Sequence, residues 1–141
     1  QALLTDQERA VDASRVELAL PDGSVRRFDR AALLALPDGV PDVAPLVPGR
    51  SGAAARVAHL LRAAEVPSHL HAVVVAADGM TTAPVPVADL EGGLLLHSLE
   101  GEPLPAGKGG PFRLLIPGEA GRENPCGNVK GVVRIALRDP A

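Results

Sequence analysis

The stretch Gly110-Pro111-Phe112-Arg113-Leu114-Leu115-Ile116-Pro117-Gly118 decides how this chain is read, because two Gly/Pro pairs bracket one short apolar run. Proline fixes φ and lacks an amide hydrogen, so the pairs act as stops, and Phe112 to Ile116 between them has the length of a strand. Arg113 alternates with core positions on that strand, where it either serves a ligand or pairs with an acid. On either side, Leu94 to Leu96 and Val132 to Leu137 read as two more strands, joined by Gly- and Pro-rich connections.

Earlier in the chain, Val16, Leu18 and Leu20 alternate with Arg15, Glu17 and Ala19, the period of a half-buried strand. Asp22-Gly23 then predicts a tight turn, with a return strand over Ser24 to Phe28. Asp29 is placed to cap a short helix over Ala31 to Leu36. Residues 37–50 carry four prolines and two glycines and read as a long loop; Ser51 is a cap for a helix over Gly52 to Ala64, with Val57, Leu60, Leu61 and Ala64 as its apolar stripe. Leu70 to Ala77 reads as a central strand, Asp78-Gly79 as a turn, and Thr81 to Val85 as a segment that Pro84 and Pro86 push to a sheet edge. The class is mixed α/β, rich in strand. Residues 1–13 read as a loose lead-in and 14–139 as a single domain.

Composition narrows the function. The 141 residues carry 14 basic against 17 acidic side chains, a net charge of -3, and so no electrostatic footprint for nucleic acid or an anionic membrane. Two Phe with no Trp or Tyr leave nothing to build a base-stacking platform or an aromatic cage. No apolar run approaches the roughly 18 residues that span a bilayer. One cysteine, Cys126, cannot close an internal disulfide.

Local motifs supply little chemistry. Gly107-Lys108-Gly109 lacks both the spacing and the hydroxyl of a phosphate loop. His69 and His71, two apart, would share one face of a strand, but they need a third ligand to hold a metal and read as the exposed start of that strand. His59 reads as solvated, and His97 has no visible partner. Cys126 lies in Asn124-Pro125-Cys126-Gly127-Asn128, a turn-rich segment expected to be accessible, with Arg122 and Lys130 near enough in sequence to favour its thiolate.

From Asp78 onward the chain resembles the molybdopterin-binding domain of the sulfite oxidase family. The resemblance rests on three stretches: Ala77-Asp78-Gly79-Met80 with Pro86; Gly101-Glu102-Pro103-Leu104-Pro105 followed by the Gly110–Gly118 stretch; and Asn128-Val129-Lys130-Gly131-Val132-Val133-Arg134-Ile135. It implies a sulfite-oxidase-like fold of mixed sheets with a few short helices. It also implies that Arg113, Asn128, Val129 and Lys130 hold a molybdopterin, with Asp78 and Lys108 beside them. Arg113 and Lys130 are the right chemistry for a pterin phosphate, since fixed cations recognise such anions.

The departures are as informative. The family ligates molybdenum through a cysteine in a Cys-x-Gly-Asn context, and the corresponding Pro37 to Arg50 has no cysteine. The histidine that the family places before its Gly-x-Pro-x-Arg signature is matched by Lys108, and the tryptophan after its Val-Lys pair by Gly131. Cys126 is the remaining candidate for a metal ligand. Three readings follow. The first is a degenerate, non-catalytic domain, structural or binding a protein partner. The second is a binder of a pterin or another anionic small molecule. The third is a molybdenum oxidoreductase with unusual ligation. Abundant Ala, Gly, Pro and Arg suggest a high-GC bacterial source, and the resemblance adds that bacterial family members are often exported or periplasmic.

Overall fold

The computed structural model describes residues 14–140, so the expected lead-in over 1–13 lies outside the described residues. The chain enters on a hairpin of β1, Arg15–Ala19, and β2, Val25–Asp29. Asp22 closes its turn, accepting from the backbone amide of Ser24 at 2.9 Å and from its hydroxyl at 2.6 Å. Helix α1, Arg30–Leu34, follows at once, and Asp29 Oδ1 accepts from the free Ala32 amide at 2.8 Å as its cap.

Two five-stranded sheets make the body. The first runs β2-β1-β10-β4-β5, where β4 is His71–Ala76, β5 is Val85–Pro86 and β10 is Val132–Arg138. Proline cannot donate to a ladder, so β5 lies at the edge as expected. The apolar run after Leu70 does form an interior strand, but the middle of the sheet belongs to β10, which pairs parallel with β1 and antiparallel with β4.

The second sheet runs β3-β6-β8-β9, with β7 also paired to β6. Here β3 is Ala53–Arg56, β6 is Leu94–Leu99, β7 is Glu102–Pro103, β8 is Arg113–Leu115 and β9 is Asn128–Val129. The expected helix over Gly52 to Ala64 is corrected by this sheet. Its first residues pair with β6, and helix α2 begins only at Val57 and runs to Ala63. Ser51 caps nothing there; the residue before α2 is Arg56, extended and without a side-chain cap. Alanine favours helix intrinsically, but the Leu94–Leu99 strand offers a ladder partner, and tertiary pairing overrides propensity.

The inner faces of both sheets share one core with α2. Val16 and Leu18 of β1, Val74 of β4, Leu95 of β6, Leu114 of β8 and Ile135 of β10 join Val57, Leu60 and Leu61. A smaller cluster covers the other face of the second sheet, where Val40 and Val43 of the proline-rich loop pack on Ala54, Leu94, Leu96 and Leu115. The loop is therefore fixed to the sheet, also by paired backbone bonds between Val40 and Ala54, each 2.9 Å. That attachment sets one wall of the site described next.

Candidate functional site: an arginine-lined cleft

A cleft of about 910 Å³ opens where the end of the proline-rich loop meets the segments after β8. Leu46 to Arg50 form one wall; the other comprises Ile116, Pro117, helix α3 (Gly118–Glu123) and the approach to β9, including Arg122 and Asn128. Small-molecule sites in proteins typically occupy roughly 300–1,000 Å³. The walls exist because Pro117-Gly118 stops β8 and the chain must turn before β9 can pair back on Leu114 and Leu115.

Arg113 lies behind Asn128 and is not itself part of the cleft lining. Although it carries a guanidinium, it is only 5% exposed. Its Nε donates to Asn128 Oδ1 at 2.9 Å, and its Nη1 to the Lys108 carbonyl at 3.3 Å. Asn128 in turn lines the cleft. Burial, and then the like charge of Arg50, hold the Arg113 guanidinium below its ordinary pKa. Gly109, with φ of 93°, lets the two cationic stems close in: a Cβ there would lie 2.7 Å from Arg113 Cδ and 3.2 Å from Lys130 Cγ.

Among the described residues no carboxylate forms an ion pair with Arg50, Arg113, Arg122, Lys108 or Lys130. The alternative reading of Arg113 and Lys130 as partners of an acid is thereby corrected. Arg50 and Arg122 line the cleft with no carboxylate paired to either, an arrangement that suits an anion.

The other sequence candidates divide. Lys108 and Lys130 are exposed and flank Gly109, while Val129 is half-buried against the core. Asp78 is not in the cleft wall; its carboxylate accepts from the Met80 amide at 2.9 Å and shapes the turn after β4. Cys126 is corrected from accessible to fully buried. Asn124 Oδ1 accepts from the Cys126 amide at 2.8 Å and folds the segment inward, and the thiol meets Thr82 Oγ1 at 3.4 Å. Burial pushes its pKa up, so thiolate is disfavoured.

The histidines also differ from expectation. His59 is half-buried, 3.4 Å from Asp38 Oδ2, and His97 is buried with Ser98 as a partner. Among the described residues no cluster of three His, Cys, Asp or Glu is spaced to hold a metal. Arg50 and Arg122 were missed as site residues. Each is a lone arginine in a Gly/Pro-rich segment, and only the convergence of those two loops marks them.

Among the described residues no helix is long and apolar enough to cross a membrane. No curated protein matches the chain. A family model described as the oxidoreductase molybdopterin binding domain matches residues 53–140, which contain β3 through β10, Arg113 and every residue of the far cleft wall. With well over half of the chain matched and the strand-rich mixed α/β architecture in agreement, the chain belongs to the family of molybdopterin-binding domains found in sulfite oxidases.

Proposed function

We propose that this chain is a non-catalytic family member that binds an anionic small molecule of the pterin-phosphate class in its arginine-lined cleft. Arg50 and Arg122 line one cleft without carboxylate partners, and Asn128 of the same lining is bonded to the buried Arg113; that arrangement carries the reading. Guanidinium forks such as those of Arg50 and Arg122 suit phosphate oxygens, and the lining Asn128 is held by Arg113 Nε.

The organic part of molybdopterin fits this donor set, whereas the metal does not. The stretch corresponding to the family's thiolate is Pro37 to Arg50, and the part of it that lines the cleft, Leu46 to Arg50, offers aliphatic side chains and a guanidinium, none of them a soft ligand. Cys126 faces Thr82 in the core and has its thiol form favoured, which speaks against its serving as a substitute ligand. No redox step is assigned to the domain. A degenerate domain that only docks a protein partner is the competing reading, and an intact molybdenum oxidoreductase the third.

Native mass spectrometry of protein made in a host that synthesises molybdenum cofactor tests the proposal. The expected result is an adduct of pterin mass without molybdenum, lost in Arg50→Ala and unchanged in Cys126→Ser. Arg50 is exposed, so its replacement leaves the core intact. A bare chain mass in that host overturns the proposal in favour of the partner-docking reading. Stoichiometric molybdenum overturns it in favour of an oxidoreductase.

A further inference from the structure

A second site takes shape around His97, away from the arginine cleft. Strand pairing sets it up. Ala53 pairs with Ser98 and Ala54 with Leu96, which leaves His97 as the extra residue of a β-bulge. The bulge re-aims its side chain so that His97 Nδ1 lies 2.7 Å from Ser98 Oγ, although the two residues are adjacent on a strand. Arg30, at the start of α1, donates from Nε to the same Ser98 Oγ at 2.7 Å and from Nη2 to the Gly101 carbonyl at 2.8 Å.

A guanidinium only donates, so its bond takes one of the two Ser98 lone pairs, and the Ser98 hydroxyl hydrogen is free to go to His97 Nδ1, which we take as its acceptor. Burial, and then the nearby Arg30 charge, push the His97 pKa down to about 4, so the ring is neutral at physiological pH. With Nδ1 accepting, the one ring hydrogen sits on Nε2. That nitrogen has no partner among the described residues, yet it is not sealed off from solvent-sized space.

His97 is only 2% exposed, and it lines a depression of about 250 Å³ with Leu33, Leu34, Val40, Pro41 and Ala54. Leu34, Pro41 and Ala53 are shared with a larger lobe of about 540 Å³, in which Arg30 faces Asp42 and Glu100. Neither lobe shares a lining residue with the arginine cleft. The rim carries Leu34, 52% exposed, a large aliphatic side chain left in water beside an apolar wall.

We propose that this depression binds a small uncharged molecule with an apolar body and one carbonyl oxygen, which accepts from His97 Nε2. Apolar walls ending in a single donor match such a molecule, because a buried polar group is stable only when its hydrogen bond is made. An anion is disfavoured, since Asp42 and Glu100 already offset Arg30 in the adjoining lobe.

Cyclohexanone is a suitable probe, titrated into ¹⁵N-labelled protein while the His97 ring nitrogens are followed by long-range ¹H–¹⁵N correlation. The expected result is an Nε2–H tautomer whose Nε2 signal moves saturably, together with the amides of Leu34 and Ala54. Leu34→Glu, at an exposed position where folding is unaffected, should weaken binding at least about fivefold by removing apolar surface at the rim. His97→Leu should abolish saturable shifts at Leu34 and Ala54. An Nδ1–H tautomer, an unmoved Nε2 signal in a well-dispersed spectrum, or unchanged binding in Leu34→Glu would each overturn the proposal.

Discussion

Glu17 shows how one side chain can knit three strands. Its register partners are Arg27 on β2 and Arg134 on β10, and both reach its carboxylate, Arg27 at 2.9 Å and Arg134 at 2.8 Å. Strand alternation predicts an exposed Glu17; instead the arginines cover it to 7% exposure on the face opposite the core. Burial raises its pKa, but the hydrogen bonds and charges of Arg134 and Arg27 outweigh that and hold it below 4.5. The sign for stability follows. A carboxylate with a depressed folded pKa stabilises the native state above its unfolded pKa and loses that contribution as pH falls through the folded value. Glu17→Gln should therefore cost about 2 kcal/mol near neutral pH, because two guanidiniums are left facing an amide. Urea denaturation at a series of pH values should show the gap between the two proteins constant well above 4.5 and closing below it. A pH-independent gap would assign the loss to packing alone. Alternation could announce a polar outer face here, but not the two arginines, which lie ten and 117 positions away.

At the scale of elements, Gly52 separates two accounts of residues 52–64. Were they one helix, Gly52→Ala would stabilise it by roughly 1 kcal/mol. With φ at 117° and a Cβ directed at the Ser98 carbonyl, the same change is expected to destabilise the protein by about 2 kcal/mol, read as a lowered midpoint in thermal unfolding. Strands bracketed by Gly and Pro were legible in the sequence. The Gly110–Gly118 stretch and the Val132–Leu137 run fold as read, because their stops are local. Ala53–Arg56 was not legible, since only its distant partner Leu94–Leu99 makes it a strand. The candidate site divides the same way. Arg113 and Lys130 could be picked out by family resemblance, whereas Arg50 and Arg122 require the loops to meet, and His97 requires a bulge that no local pattern announces.

At the scale of the molecule, the first sheet is built around a strand that comes from late in the chain. β10 sits between β1 and β4, and contributes Val132, Ile135 and Leu137 to the shared core. Ending the chain after Gly131 should thus remove the cooperative transition altogether rather than lower its midpoint, as differential scanning calorimetry would show. A truncated protein that still melts in one sharp step would mean that the second sheet and α2 stabilise themselves.

The place of β10 also bears on how the protein comes to exist. A ribosome delivers β1 well before its parallel neighbour, which emerges more than a hundred residues later, and until then the β1 edge of the hairpin is open as well as the β2 edge. Unpaired edges attract other chains, and contacts distant in sequence form slowly. Arg15, Arg26 and Arg27 on that hairpin are matched by Glu17, Asp22 and Asp29, so net charge does not guard it. The β1 edge is covered only when residues 132–138 arrive to pair with it.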